Sequence, residues 1–162
     1  MRTDRKELHG VVLDILPIGH ADPRRPQFRK EPLVQAVGVD QFKLLELIPK
    51  SEDIAIHETV YIGDRERDKI ERVKRRIGYE ELSSTARLEL PFAIQGIVRE
   101  NDSRFIDFFN KAISVTPKLH MLHLLPGIGK KLMWEILDER QKKPFESFRD
   151  ISERIKAIPH PE

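Results

Sequence analysis

The sequence predicts an α+β protein, a small β-barrel over about residues 8–77 followed by helices to the end of the chain. Three observations predict it. Short runs rich in Val, Ile and Leu, separated by turn residues, fill the first half; the apolar spacing then lengthens to three and four residues; and a Gly-Ile-Gly turn stands between two apolar segments around Ile128. The boundary falls near Gly78, giving a barrel domain over 1–78 and a helical domain over 79–162. A chain of 162 residues suffices for one typical domain or two small ones.

The first strand is Leu8–Ile18, which ends at Pro17 and Gly19. Leu33–Val39 and Phe42–Ile48 are separated only by Asp40-Gln41, as in a hairpin. Thr59–Gly63 is a short β-branched run. Lys69–Ile77 reads two ways. Ile70, Val73 and Ile77 lie three and four apart, the spacing of a helix, whereas a strand here completes the five of a small Greek-key barrel. The barrel reading requires the strand.

Beyond Gly78, Ala86, Leu90, Ala93/Ile94 and Ile97/Val98 form an amphipathic helical stripe. Pro91 either kinks that stripe or starts its second part, because proline removes an interior hydrogen bond. Ser103 is a suitable N-cap for a helix over Arg104–Ile113, with Phe105, Ile106, Phe108 and Phe109 as its apolar face. Thr116-Pro117 is a second helix start, a capping residue followed by proline at the first helical position. A further helix carries Ile151, Ile155 and Ile158.

Composition narrows the chemistry. The chain has no cysteine, which excludes a disulfide framework, a thiolate zinc site, a cysteine-ligated iron–sulfur cluster and a cysteine nucleophile. The start, Met1–Glu7, lacks the apolar stretch that a signal peptide places behind its charges, and no apolar run reaches the ~20 residues of a membrane span. The expectation is a cytoplasmic protein without a membrane partner. Although 29 Lys and Arg nearly balance 27 Asp and Glu, the bases cluster. Arg24, Arg25, Arg29 and Lys30 share residues 22–31 with two acids, and seven bases, among them Arg72, Lys74, Arg75 and Arg76, share residues 65–76 with three. The intervening residues 32–64 are acidic on balance. Such segregation builds either a basic face for phosphates or an ordinary solvated surface.

The Gly-Ile-Gly turn favours phosphates over the alternative of a tight helix–helix turn with no ligand. Over residues 117–141 the sequence predicts a short helix, a turn at Gly127-Ile128-Gly129 and a second helix ending near Gln141. Glycines let the turn take positive φ and let another backbone come close. The turn feeds a helix N-terminus, where unpaired N–H groups and the positive end of the dipole point outward together. That arrangement binds a phosphate without reading a base. Lys130 and Lys131 add mobile charge, and Ile128 is expected to point inward and fasten the turn to the core. These residues resemble the helix-hairpin-helix motif: apolar residue, Pro, Gly, apolar, Gly, a base, then an apolar helix. One position departs from it, since Met133 stands where the motif usually places a small residue.

The connection from His20 to Pro32 combines Arg24, Arg25, Arg29 and Lys30 with one aromatic, Phe28. Bases that pair with phosphates beside a ring that stacks on a base make a recipe for single-stranded nucleic acid. Oligonucleotide-binding (OB) barrels use the loop between their first two strands in this way. With both halves in view, the chain resembles an uncharacterised, mainly archaeal family that joins an OB-like barrel to a helix-hairpin-helix. The resemblance is carried by Val60-Tyr61-Ile62-Gly63, Phe108-Phe109-Asn110, Leu124–Lys131 and Pro144-Phe145-Glu146-Ser147-Phe148. It implies nucleic-acid binding, with RNA favoured over DNA and a link to translation or the ribosome.

Other chemistries find less support. Helix-hairpin-helix motifs also occur in DNA glycosylases, where Lys131 would be the Schiff-base lysine; Asp150 lies at a similar distance downstream, but Ser147-Phe148-Arg149-Asp150 does not match that neighbourhood. His120 and His123 share a helical spacing that suits a metal, yet no carboxylate completes the set. The expectation is a non-catalytic protein without metal or cofactor that grips nucleic acid largely independently of sequence. The rival is a module for ribosome assembly or translation that contacts proteins only.

Overall fold

A computed structural model of the protein describes residues 5–20 and 31–162. Five strands come first, β1 (His9–Leu16), β2 (Leu33–Gly38), β3 (Leu44–Pro49), β4 (Thr59–Tyr61) and β5 (Ile70–Arg76). Helices α1 (Ser84–Glu100) and α2 (Asp102–Lys111) follow, then the short strands β6 (Ser114–Thr116) and β7 (Leu119–His120), and finally α3 (Lys130–Lys142) and α4 (Phe148–Arg154). The change from strand to helix therefore falls around Gly78. The described residues form two compact units that divide between Ile97 and Val98, near the end of α1.

In the first unit the strands form one curled antiparallel sheet, a half-barrel, in the order β4-β1-β2-β3-β5. The ambiguous segment 69–77 is thus an edge strand. Its helix-like spacing has a physical cause. The register of β5 against β3 slips twice, opposite Ile48/Pro49 and opposite Glu46/Leu47, so that Glu71 and Lys74 are extra residues. Each bulge moves the alternation by one, and the inward side chains Ile70 and Val73 come to lie three apart. A slip in β1 between Val12 and Asp14 does the same for Val12 and Ile15.

The inner face of the sheet buries Val12, Val34, Ala36, Leu45, Leu47, Val60, Ile62 and Ile70. Its outer face, with Val11, Leu13 and Val37, packs against Ile77, Leu82 and the α1 stripe of Ala86, Ala93 and Ile97. The compact unit extends beyond residue 78 because this stripe has its partners on the sheet. Pro91 lies inside one continuous helix. It simply leaves the Arg87 carbonyl without its usual donor.

Polar side chains fix how α1 begins. Buried Gln35 accepts from the Ser83 amide at 2.8 Å and donates to the Glu81 carbonyl at 3.1 Å. The Ser83 hydroxyl donates to Asp14 and accepts from the Ala86 amide. Glu7, also buried, accepts the amides of Asp40, Gln41 and Lys43 and so closes the β2–β3 turn, where Phe42 takes a φ of 55°.

The second unit is built on Ile106 and Phe109 of α2, Leu122, Met133 and Ile136, Phe145 and Phe148, and Ile151 and Ile155. Asn110 holds α2 to the chain before α4: its side chain accepts from the Phe145 amide at 2.7 Å and donates to the Phe145 carbonyl at 2.9 Å. Ser147 caps α4 by accepting from the Asp150 amide. Arg154 stacks over Phe145 and donates to the carbonyls of Glu139 and Lys143, which closes the C-terminus of α3. No helix of the described residues is long and apolar enough to cross a membrane.

Gln35→Leu preserves volume but leaves the Ser83 amide and the Glu81 carbonyl without partners. It should lower the unfolding free energy by about 1–3 kcal/mol, read as a fall in the urea midpoint at unchanged slope.

Candidate nucleic-acid interface

The candidate site lies in the second unit, between β7 and α3. The helix expected over the first part of residues 117–141 is replaced by a hairpin and a single 3-10 turn, Met121–Leu124. No helix starts at Thr116-Pro117: Thr116 ends β6, and its hydroxyl accepts from the amides of Lys118 and Leu119 in the turn to β7. Leu119 and His120 then pair with Ser114–Thr116 instead of continuing a helix. Pro126 limits what remains, because the residue before a proline is driven out of the helical region, and Leu125 is extended at φ −81°, ψ 132°.

Two histidines complete this turn. His120 Nδ1 accepts from the Leu122 amide at 3.0 Å, and His123 Nδ1 accepts from the His120 amide at 3.2 Å. With Nδ1 as acceptor, the neutral rings carry their proton on Nε2. Among the described residues no three His, Cys, Asp or Glu side chains gather as a metal site.

The chain reverses at Leu125-Pro126-Gly127-Ile128. The Ile128 amide bonds to the Leu125 carbonyl, and Gly127 has a φ of 80°. Proline second and a left-handed residue third define a type II turn, which explains the glycine. Gly129 differs: it is the extended N-cap of α3 at φ −86°. Neither glycine would bring a Cβ within 4 Å of another atom, so the surface over both is open. No side chain caps α3, and the first amides of a helix have no intrahelical partner. Ile128 packs against the core as expected, and Met133 is buried in it. Lys130 and Lys131 are exposed, and their ammonium groups make no ion pair among the described residues.

The other basic segments fare differently. Arg24, Arg25, Phe28, Arg29 and Lys30 lie outside the described residues. Arg72, Lys74, Arg75 and Arg76 sit on β5, in the first unit. Arg75 belongs to the fold: it donates to buried Glu46 at 2.8 Å and to Glu81 at 2.7 Å, and Glu81 first, then Glu46, holds its pKa above the usual arginine value. Arg72, Lys74 and Arg76 make no ion pair among the described residues; charges and bulges on an edge strand also keep it from pairing with another chain. In the second unit the Asp150 carboxylate accepts from Arg154 and from the Glu146 amide.

Sequence reasoning missed Trp134. It is 55% exposed while its neighbour Met133 is buried, and it lines a groove of about 590 Å³ with Thr116, Lys118, Leu119, His123 and Lys130. The available signal was a large aromatic standing off the apolar stripe of its own helix.

The fold and site define a mixed α+β protein, an antiparallel half-barrel unit followed by a helical unit that presents a glycine turn and exposed lysines. The chain belongs to the family described as "Protein of unknown function (DUF655)", whose profile matches residues 6–162. The uncharacterized protein MJ0038 of Methanocaldococcus jannaschii is 47% identical over 154 residues, 94% of this chain and 69% of that protein. The crystal structure of Af1531 from Archaeoglobus fulgidus, a DUF655 protein, has a TM-score of 0.89 at 47% identity and covers 96% of this chain and 86% of that one. Both relatives are archaeal, in keeping with the resemblance.

Burial holds the pKa of His120 below that of a free imidazole, with Arg140 and His123 adding repulsion. The unfolded chain therefore takes up a proton that the folded ring refuses. This contribution to stability is complete above about pH 6.5 and is lost as the pH falls below it. His120→Asn retains an acceptor for the Leu122 amide but does not titrate. Between about pH 7 and pH 5 its melting temperature should fall less than that of the parent.

Proposed function

We propose that this protein binds nucleic acid, RNA in preference to DNA, through a grip on the phosphate backbone that is largely independent of sequence. One observation carries the reading: an uncapped helix N-terminus that opens behind a type II glycine turn, flanked by the exposed Lys130 and Lys131, which make no ion pair among the described residues. Backbone amides and mobile cations together favour an anion, and they read no base. In this reading the turn acts as a helix-hairpin-helix whose first helix has shrunk to a 3-10 turn. The half-barrel is read as OB-like from its five curled antiparallel strands, its inner apolar core and the long connection between β1 and β2. Arg72, Lys74 and Arg76 supply further charge on β5, and Arg24, Arg25, Phe28, Arg29 and Lys30 complete the proposed contact residues. The preference for RNA, like the link to translation, rests on the family resemblance.

A second reading is favoured by α1, where Leu88 and Phe92, one turn apart, are 72% and 64% exposed. Apolar side chains in that position suit a protein partner in ribosome assembly or translation.

Salt separates the two readings. Affinity for a single-stranded RNA homopolymer should fall linearly on a logarithmic salt scale, with a slope near −0.7 for each phosphate neutralised. The Lys130→Glu, Lys131→Glu double variant should flatten that slope by about 1.4 and weaken binding at every salt concentration. A flat affinity from low to moderate salt refutes the proposal. Gly129→Ala should melt within a few degrees of the parent, since a Cβ there meets nothing, yet bind more weakly because a methyl group stands where a phosphate would approach.

A further inference from the structure

The groove beside the turn is chemically unlike the rest of the chain. Among its lining residues are Lys118, Lys130 and His123 but no carboxylate, although the sequence holds 27 Asp and Glu. Its walls are apolar, Met133 and Leu137 on α3 and Pro117 and Leu119 on the hairpin. Its most prominent group is the indole of Trp134, the chain's only tryptophan, one turn along α3 from Lys130. A water-facing indole in an apolar groove leaves much apolar surface uncovered, and nothing among the described residues stacks on it.

We infer that this groove takes one nucleobase of the bound strand, stacked on the Trp134 indole, with the flanking phosphates on Lys118 and Lys130. The inference rests on the phosphate-binding reading above and adds a base subsite to it. Charge complementarity selects the occupant, since the two lysines make no ion pair among the described residues and no acid lines the groove to repel a phosphate. The polar groups present are suited to the edge of a base. The Thr116 hydroxyl already accepts two amides and retains its own proton to donate, and His123, with Nδ1 occupied, donates from Nε2. A groove of about 590 Å³ falls in the range of small-ligand sites. Stacking discriminates little among bases, because every base has a π face, so the subsite preserves the sequence tolerance of the grip.

Because Trp134 is the only tryptophan, its emission reports the subsite directly. The full chain is titrated with a uridine homopolymer and, in parallel, with an abasic sugar–phosphate oligomer of the same length. The homopolymer should quench Trp134 emission and bind about five- to 150-fold more tightly than the abasic oligomer. Trp134→Ala should remove that advantage and leave abasic binding unchanged, while Trp134→Phe retains part of it. Lys118→Glu should weaken both ligands. Equal affinity for the two oligomers with unmoved emission overturns the base subsite, leaves the phosphate grip standing and turns the groove over to a protein partner. Failure of both oligomers to bind at low salt refutes the phosphate reading itself.

Discussion

The second unit depends on the backbone of one residue, Gly127. Its φ of 80° completes the type II turn that reverses the chain between Leu122 and α3. Leu122, Met133 and Ile136 reach one core only if the chain turns within those few residues. No side chain caps the first amides of the α3 that follows this reversal. The fold of this unit thus rests on one dihedral angle, which residues with a Cβ adopt only under strain.

Around that turn, order is maintained by polar side chains that bond to backbone. Asn110 on Phe145, Ser147 on Asp150, Arg154 on the end of α3, and His120 and His123 on the 3-10 turn each satisfy groups that helices and strands leave free. In the first unit Gln35 and Glu7 do the same for the start of α1 and the β2–β3 turn. These bonds explain family-like residues that carry no charge for a ligand. In Phe108-Phe109-Asn110 and Pro144–Phe148 the aromatic rings fill the core, while Asn110 and Ser147 fix the backbone beside them. By contrast, the side chains of Lys118, Lys130, Lys131 and Trp134 make no such bonds among the described residues, and they are the groups on which the proposed contacts rest.

Much of the architecture was legible. The runs of β-branched residues placed the first four strands to within about two residues, and the α1 stripe was read from its period. The glycine spacing located the turn, and the apolar character of Ile128 gave its inward direction. Ser103 lies inside α2, whose N-cap is Asn101, and two longer segments misled, each for an identifiable reason. Residues 69–77 carry the spacing of a helix because two bulges add residues to a strand, and a bulge exists only against the register of β3. Residues 117–125 follow a Thr-Pro start signal that caps no helix, because β6 competes for Leu119 and His120 and Pro126 limits any helix to a single 3-10 turn. Within the charged segments the sequence could not separate Arg75 from Arg72 and Arg76. That distinction depends on Glu46 and Glu81, which the fold brings to Arg75 from β3 and from the turn before α1.

What the sequence determined by itself is therefore local: which residues prefer strands, where the chain can take positive φ, and where unpaired amides meet positive charge. Those properties follow from dihedral sterics and from groups a few bonds apart, so they can be read along the chain. The tertiary structure decided which bases are consumed by the fold and which remain free, where bulges shift the faces of the strands, and that Trp134 stands in a groove instead of in the core. Each of these is settled by a partner distant in sequence, and burial and pairing energies outweigh the local preference once that partner is in place.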